Sequence, residues 1–179
     1  MGSFWSRLRY WFSERQLNMV CIGLDGAGKT TIVYRMCEDP QVMTLPTVGF
    51  NVEKFKTHGV TLQTWDLGGQ HTFRQYWVNY MTSMDAVVFV VDAKDRARFM
   101  ESKHALYHIL EHDSMAHRSI PVLIFLNKTD TPGAATPTML KTLFEVREIE
   151  RRRACAVFSS VATTGQGLQD GFQWLVSVI

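Results

Sequence analysis

The feature that most constrains the fold is a glycine-rich octapeptide, Gly23-Leu24-Asp25-Gly26-Ala27-Gly28-Lys29-Thr30, which matches the pattern G-x-x-x-x-G-K-S/T. It stands between residues 18–24, an apolar run typical of a strand, and residues 29–37, which have helical spacing. Glycines in such a loop let backbone N–H groups curl around an anion, and the following helix adds its positive dipole end. Lys29 can reach the β- and γ-phosphates of a nucleotide, and the Thr30 hydroxyl can ligate Mg²⁺. The octapeptide therefore predicts a phosphate-binding loop (P-loop) in an α/β domain.

Strand-like and helix-like segments alternate along the rest of the chain. Five further runs have the length and composition of strands: residues 50–57, 60–66, 86–92, 120–126 and 154–160. The first two alternate with period two around His58-Gly59, which favours an antiparallel hairpin. Residues 167–178 place an apolar stripe on one helical face. The pattern predicts one α/β domain with a mostly parallel six-stranded sheet, one antiparallel hairpin and helices on both faces, and ligands at the carboxyl ends of the strands.

Composition narrows the class of protein further. The 179 residues are enough for one domain, and 46% hydrophobic with 20% charged residues argues against disorder. A net charge of +2 is too near neutral to indicate a nucleic-acid partner. Cys21, Cys37 and Cys155 have neither zinc nor disulfide spacing, which favours a reducing compartment. The apolar runs are far shorter than the roughly 20 residues of a membrane span, so we expect a cytosolic protein. We also expect a monomer.

A second motif, Trp65-Asp66-Leu67-Gly68-Gly69-Gln70, ends a predicted strand with a carboxylate, two glycines and a glutamine. Asp66 is placed as the water-mediated partner of Mg²⁺. Gly69 can offer its N–H to the γ-phosphate because no side chain blocks the approach. Gln70 can orient the attacking water. By itself this sequence would more often be a turn, but its order and distance from the P-loop predict hydrolysis of a nucleoside triphosphate.

A third motif, Asn127-Lys128-Thr129-Asp130, follows a predicted buried strand. The Asp130 carboxylate can accept hydrogen bonds from N1–H and the 2-amino group of guanine, whereas adenine has neither donor there. The segment Ser159-Ser160-Val161-Ala162-Thr163-Thr164-Gly165 closes the next strand, where the backbone N–H groups of Val161 and Ala162 can meet the base carbonyl. The order of the three motifs at successive strand ends predicts a guanine-binding site.

Together these motifs resemble the small GTPases of the ADP-ribosylation factor (Arf) and Arf-like family over nearly the whole chain. The resemblance is carried by residues 23–31, 46–51, 65–70, 127–130 and 162–163. It implies GTP and GDP binding with Mg²⁺ and slow hydrolysis, together with an exchange factor, a GTPase-activating protein and GTP-state effectors as partners. It also implies that Thr31 belongs to the phosphate site and that Thr47 closes on Mg²⁺ and the γ-phosphate. Phe50, Trp65 and Tyr80 would form an aromatic effector patch.

The resemblance in residues 24–35 and 65–92 favours the Golgi Arf-like branch, which implies a cytosolic protein that cycles to Golgi membranes in vesicle trafficking. Two alternatives from other classes stay open. A P-loop nucleoside or nucleotide kinase would need an arginine-rich lid, and no such segment is seen. A guanine-nucleotide-binding scaffold that does not hydrolyse GTP would have the same fold, because turnover depends on the geometry around Gln70.

The N-terminal segment matches the N-myristoylation pattern, with Gly2 exposed after removal of Met1 and a serine at position 6. At helical spacing, five apolar side chains fall within an arc of about 120°: Phe4, Trp5, Leu8, Trp11 and Phe12. Arg7 and Arg9 flank that arc, where their charges can reach lipid headgroups. One myristoyl chain binds membranes only marginally, so the arc would supply the second signal for reversible binding. We therefore expect residues 1–16 to form a myristoylated amphipathic helix and residues 17–179 the GTPase domain.

Two departures from the family pattern carry expectations of their own. Asp25 occupies the P-loop position beside the γ-phosphate, where fast-hydrolysing relatives often carry glycine, which suggests slow intrinsic turnover. The stretch 131–153 follows the family poorly, and its arginines predict a solvated basic face: Arg147, Arg151, Arg152 and Arg153.

Overall fold

The computed structural model describes residues 16–37, 50–57, 60–67 and 77–179. Its six strands are β1 (Gln16–Gly23), β2 (Phe50–Thr57), β3 (Val60–Leu67), β4 (Ala86–Asp92), β5 (Val122–Asn127) and β6 (Cys155–Ser160). They form one sheet in the order β2-β3-β1-β4-β5-β6. The pair β2–β3 is antiparallel and the other four pairs are parallel. The predicted six-stranded, mostly parallel sheet with one hairpin is confirmed.

Seven α-helices lie in the described part of the chain: α1 (Lys29–Met36), α2 (Trp77–Tyr80), α3 (Phe99–Leu110), α4 (Asp113–Ala116), α5 (Pro137–Leu143), α6 (Val146–Glu150) and α7 (Leu168–Val178). Short 3₁₀ turns, Met81–Ser83 and Arg96–Arg98, precede β4 and α3. Helix α5 begins with Pro137, and its N-cap Thr136 accepts a hydrogen bond from the Met139 N–H at 3.2 Å. No helix in these residues is both long and apolar enough to cross a membrane.

Two apolar layers, one on each face of the sheet, follow from the period-two alternation of the central strands. On β1, Val20 and Ile22 belong to one core cluster, whereas Met19 and Cys21 belong to the other. The first cluster contains residues of α3, α5 and α6, and the second contains residues of α1 and α7. Because β4 and β5 are covered on both faces, nearly every side chain in them is buried. This burial fixes the strand ends from which the loops of the site emerge.

Some of the strand boundaries differ from the predicted ones by one or two residues. Strand β4 has the predicted bounds, but β5 begins at Val122 instead of residue 120. The reason is Pro121, which has no N–H for a strand ladder, although its carbonyl accepts from Val87 N–H at 3.0 Å. Strand β1 begins at Gln16, a residue that the sequence assigned to the N-terminal helix. The remainder of that predicted helix lies outside the described residues.

The prediction of a solvated basic face is wrong for one of its four arginines. Arg147, Arg151 and Arg152 are exposed, whereas Arg153 is only 6% exposed. The chain turns inward after α6 to enter β6 at Cys155, and this turn carries the Arg153 side chain under the neighbouring α4 segment. There Arg153 Nη2 donates a hydrogen bond to the Met115 carbonyl at 3.2 Å.

Candidate functional site

The loop between β1 and α1 has a shape that depends on two glycines. Gly23 ends β1 with φ of 146°, and a Cβ atom there would lie 2.2 Å from the Val90 carbonyl oxygen. Gly28 precedes α1 with φ of 95°, and a Cβ atom there would lie 2.3 Å from the Asn127 amide nitrogen. Neither position admits another residue without a shift of the neighbouring strand ends. The loop is therefore held closely against β4 and β5.

Lys29, the lysine of the G-x-x-x-x-G-K-S/T pattern, is 6% exposed at the first position of α1. Its Nζ donates a hydrogen bond to the Leu24 carbonyl at 3.0 Å, so the side chain folds back across the loop. Thr30 and Thr31 follow in the same turn and are half-buried. The loop thus combines a fixed ammonium group with the backbone N–H groups at a helix start, the chemistry expected around phosphates.

Asn127 joins three parts of the site. It is 2% exposed at the end of β5, and its Nδ2 donates to the Ala27 carbonyl of the loop at 2.9 Å. Its Oδ1 accepts hydrogen bonds from the Ala162 N–H at 3.0 Å and from the Ser160 hydroxyl at 3.3 Å. The sequence predicted a base-contacting residue here and missed this structural role. A buried amide with all of these bonds fixes the P-loop against the loop after β6.

Lys128 adds a second connection between β5 and the P-loop. The residue has a left-handed backbone, with φ of 64°. Its Nζ donates to the Gly26 carbonyl at 2.7 Å and lies 2.6 Å from Asp92 Oδ2. The sequence did not single out Asp92, although a carboxylate that ends a buried apolar strand is a usable signal for a site residue. The Lys128 side chain therefore connects the loop after β5 with the P-loop and with the end of β4.

The two predicted base-binding loops are also bonded to each other. The Thr129 N–H and hydroxyl both donate to the Ser160 carbonyl, at 3.3 and 3.1 Å. Val161 and Ala162 are buried, and the Gly165 N–H closes their turn on the Val161 carbonyl at 2.9 Å. Asp130 is exposed, and within the described residues its carboxylate makes no hydrogen bond. The structure thus brings the predicted base-binding residues to one edge, with a carboxylate open to a ligand.

Arg98 approaches the P-loop from the 3₁₀ turn after β4. Its Nη1 lies 3.1 Å from Asp25 Oδ1, and its Nη2 donates to the Asp25 carbonyl at 3.3 Å. Its Nε lies 2.5 Å from Asp95 Oδ2. The hydrogen bond to Asp95 is the largest cause of a raised pKa at Arg98, and the Asp25 charge adds to it. Sequence spacing offered no signal for this contact, because the two partners are 73 residues apart.

Asp66 and the aromatic effector positions are described to different extents. The backbone of Asp66 pairs with Cys21, so it lies beside the strand that leads into the P-loop. Trp65 is half-buried and packs against the first core cluster. Phe50 pairs with Leu67, two positions beyond Trp65. Other predicted site positions, namely Gly2, Thr47, Gly69 and Gln70, lie outside the described residues, and the side chain of Tyr80 is not described either.

A mostly parallel sheet with a lysine-bearing P-loop after β1, and with two loops after β5 and β6 that are bonded to each other, defines a P-loop nucleotide-binding domain. The family model "ADP-ribosylation factor family" matches residues 4–179. ADP-ribosylation factor-like protein 1 of Saccharomyces cerevisiae is 37% identical over 100% of this chain and 97% of its own length. ADP-ribosylation factor-like protein 5 of Dictyostelium discoideum is 40% identical, with 99% and 94% covered. ADP-ribosylation factor 3 of Arabidopsis thaliana is 39% identical, with 94% and 91% covered.

Among solved structures, the Arl6 BBS3 small GTPase from Trypanosoma brucei, with bound nucleotide analogue GppNp, matches with a TM-score of 0.84 and 33% identity. The match covers 90% of this chain and 96% of that chain. The chain belongs to the ADP-ribosylation factor family. It is therefore a small GTPase that binds GTP, GDP and Mg²⁺ and hydrolyses GTP, and members of its family interact with exchange factors, GTPase-activating proteins and effectors.

Proposed function

We propose that this protein is a switch in Golgi vesicle trafficking, in which GTP recruits the chain and its effectors to a membrane and hydrolysis releases them. The proposal that the protein binds a nucleotide rests on the hydrogen bonds by which Asn127 joins three loops. The P-loop, the segment ending in Asp130 and the turn at Ala162 meet at one edge of the sheet. A nucleotide can then contact the P-loop with its phosphates and the other two loops with its base.

Guanine recognition is assigned to Asp130, with Asn127 and Lys128 as its supports and the buried turn at Val161 and Ala162 beside the base. The backbone N–H groups of that turn, expected from the sequence to face the base carbonyl, donate instead to the Gln166 carbonyl and to Asn127 Oδ1, at 3.0 Å each. Asp130 is exposed, and its neighbour Thr129 donates two hydrogen bonds to the Ser160 carbonyl. These bonds fix the loop that carries the Asp130 carboxylate. Adenine offers no donor to that carboxylate and would leave it desolvated and unpaired. Sites of this kind discriminate by roughly 10⁴–10⁵.

Phosphate binding is assigned to residues 23–31. The backbone N–H groups of the loop and the Lys29 ammonium neutralise the β- and γ-phosphates, with Thr47 and Gly69 completing the contacts to the γ-phosphate. Asp25 stands in the same loop, and the Arg98 guanidinium offsets its charge at 3.1 Å. An uncompensated carboxylate at this position would repel the triphosphate more than the diphosphate, since GTP carries more negative charge.

The residues present fit Mg²⁺. The Thr30 hydroxyl, the Thr47 hydroxyl and the Asp66 carboxylate (through water) are hard oxygen donors of the type that Mg²⁺ prefers. The backbone places Asp66 beside the strand that precedes the P-loop. Over the part of the chain that the structure describes, no group of three or more His, Cys, Asp or Glu residues offers a different metal site. When bound, Mg²⁺ supplies positive charge at the β- and γ-phosphates.

In the hydrolytic step, the Gln70 amide orients a water in line with the bond between the γ-phosphorus and the bridging oxygen. Attack by that water breaks this bond and leaves GDP and phosphate. Lys29 stabilises the negative charge that develops on the departing diphosphate. Because Gln70 follows the predicted effector position Trp65 by five residues, an activating protein that contacts this segment accelerates hydrolysis by holding the Gln70 amide against the water.

Membrane binding is assigned to residues 1–15, with a myristoyl group on Gly2 and the apolar arc of the helix as the second signal. The Golgi assignment is supported by the resemblance of residues 24–35 and 65–92 to the Golgi Arf-like branch. The relatives that include Arf-like protein 1 of Saccharomyces cerevisiae, Caenorhabditis elegans and Drosophila melanogaster, at 37–38% identity, support that branch.

The base assignment is tested by competition of nucleotides for the purified chain in Mg²⁺ buffer. GDP and GTP should displace a fluorescent guanine nucleotide, and ATP should not. Asp130→Asn should weaken GTP and favour xanthosine triphosphate, because an amide N–H can donate to the carbonyl that xanthine carries in place of the 2-amino group. Asp113→Asn, at an exposed carboxylate on α4, is the matched control and should bind like the parent. Equal affinities for ATP and GTP would refute the assignment.

A further inference from the structure

Arg35 joins the last turn of α1 to the turn that follows β6. Its Nη2 donates a hydrogen bond to the Thr164 carbonyl at 3.1 Å. A Cβ atom on Gly165 would lie 3.2 Å from Arg35 Nε, so the side chain also packs against the backbone of this turn. The two bonded residues are 129 positions apart in the chain. The fold therefore brings a cationic side chain of the P-loop helix onto a loop that the sequence assigned to the base.

The turn formed by residues 161–165 is held at both of its ends. At its buried start, the Ala162 N–H donates to Asn127 Oδ1 at 3.0 Å. Inside the turn, the Thr164 and Gly165 N–H groups donate to the Val161 carbonyl at 3.1 and 2.9 Å. At its exposed end, the Thr164 carbonyl accepts the bond from Arg35. Asn127 thus fixes the turn to β5, and Arg35 fixes it to α1.

Helix α1 therefore serves both halves of the nucleotide site. Its first residue, Lys29, belongs to the P-loop, and Arg35 lies about 9 Å further along the helix axis at 1.5 Å per residue. A cationic side chain in the last turn of a helix also stabilises that helix through its dipole, but this role needs no contact with another loop. The bond to Thr164 goes beyond it, because it ties a loop beside the base to the helix that holds the phosphates.

We propose that Arg35 is a positioning residue that slows the release of the bound guanine nucleotide. Arg35 acts through the turn: while its bond to Thr164 is in place, the turn stays closed beside the base. When that bond is lost, the turn opens more often and the nucleotide leaves more readily from the base side. This inference rests on the assignment of the turn to the base under the proposed function.

The first measurement is the release of a fluorescent GDP from the full-length chain, chased with excess unlabelled GDP in Mg²⁺ buffer. Arg35→Met removes the guanidinium and keeps an unbranched side chain with good helix propensity. It should release GDP about two- to fivefold faster, since one exposed hydrogen bond contributes modestly. Arg35→Lys, whose ammonium can donate to the same carbonyl, should lie between the parent and Arg35→Met. Arg147→Met, at an exposed arginine of α6, is the matched control and should release GDP like the parent.

Repeating the chase in EDTA separates the base side from the phosphate side of the site. Mg²⁺ acts at the β- and γ-phosphates, so its removal should speed release from every variant. The ratio between Arg35→Met and the parent should stay the same, because Arg35 acts beside the base. A ratio that falls to one in EDTA would place the effect at the phosphates and would overturn the proposal.

The second measurement is amide hydrogen exchange by NMR in the GDP-bound parent and Arg35→Met. The Thr164 and Gly165 N–H groups, which close the turn, should exchange faster in the variant. A role of Arg35 at the end of α1 alone would leave these two amides unchanged. Faster release without faster exchange at Thr164 and Gly165 would overturn the proposal, as would faster exchange with release at the parent's rate.

Competition of ATP with GTP for the parent protein distinguishes the two levels of the argument. If the parent binds ATP and GTP equally, the base assignment fails, and the role of Arg35 fails with it. If the parent prefers GTP but Arg35→Met releases GDP at the parent's rate, the base assignment stands and only the role of Arg35 is refuted.

Discussion

Replacing Arg98 with alanine removes the ion pair that joins the P-loop to the 3₁₀ turn after β4. The Nη1 atom of Arg98 lies 3.1 Å from Asp25 Oδ1, and a second bond reaches the Asp25 carbonyl at 3.3 Å. Two unit charges at that separation attract by about 1.3 kcal/mol in a medium as polar as water. The side chains are 36% and 51% exposed, so solvent screens them strongly. Exposed pairs of this kind contribute about 0.2–1 kcal/mol.

The consequence for binding depends on the charge of the ligand. Without Arg98, the Asp25 carboxylate loses one compensating positive charge and repels GTP more than GDP, because GTP has one more phosphate. An energy in the upper half of that range corresponds to about a three- to fivefold change in an equilibrium constant. Arg98→Ala should therefore lower the ratio of GTP to GDP affinity by about three- to fivefold. The loss should shrink as salt is added, since exposed charges are screened.

The assay is equilibrium binding of fluorescent GTP and GDP to four proteins in a double-mutant cycle: the parent, Arg98→Ala, Asp25→Asn and the double variant. In the Asp25→Asn background, Arg98→Ala should have little effect on the ratio. Arg96→Ala, at an exposed arginine of the same turn, is the matched control and should not change it. The reasoning is refuted if Arg98→Ala weakens GTP and GDP equally, or if its effect on the ratio is the same without the Asp25 charge.

Three further outcomes are expected. Gln70→Leu should bind GTP like the parent but lose hydrolysis stimulated by a GTPase-activating protein in a single-turnover assay; unchanged stimulated hydrolysis would remove Gln70 from the proposed mechanism. Asn127→Ala should lower the free energy of unfolding, measured in urea, by about 1–3 kcal/mol, because the buried Ala162 N–H loses its acceptor. A stability equal to the parent's would show that the Asn127 amide does not hold the loops together. Burial raises the pKa of Cys155 to about 12, so at pH 8 its thiol should stay protonated and resist alkylation in the folded chain. Half-buried Cys37 should react first. Mass spectrometry that finds Cys155 modified as fast as Cys37 would contradict this.

Much of the fold could be predicted from local sequence. Strands β4 and β5 are continuous apolar runs because helices cover both faces of the sheet, so nearly every residue in them is apolar. The hairpin β2–β3 was predicted from residues that alternate with period two around His58-Gly59, which is also a local signal. The P-loop was predictable because its glycines, lysine and threonine are consecutive in the chain. The ends of elements were less predictable, as at β5, where Pro121 delays the strand by two residues.

Contacts between distant segments were not predictable from the sequence. Arg98 reaches Asp25 across 73 residues, and Lys128 reaches Asp92 across 36. Nothing in the spacing of these residues marks them as partners, because their proximity is produced by the sheet order. Arg153 shows the same limit: an arginine in a basic run is usually solvated, and the inward turn before β6 buries this one. The base-binding motif was recognised, but the structural role of Asn127 required the structure.

The coupling between nucleotide and membrane is the central claim of the proposed switch. If the N-terminal helix packs on the domain only in the GDP state, its docking favours GDP in water. A lipid bilayer offers another apolar environment in which the same side chains can be buried: Phe4, Trp5, Leu8, Trp11 and Phe12. By linkage, lipid must favour GTP by the same factor by which GTP favours lipid.

The most direct test is spontaneous exchange of GDP for GTP by the myristoylated full-length protein and by a variant without residues 1–13, each with and without liposomes. Liposomes should accelerate exchange of the full-length protein. The truncated protein should load GTP readily without liposomes and should fail to bind them. Gly2→Ala should weaken liposome binding while leaving exchange without lipid nearly unchanged, because the helix can still dock. Full-length exchange that liposomes do not accelerate, or truncated protein that exchanges slowly without lipid, would show that residues 1–15 are only an anchor.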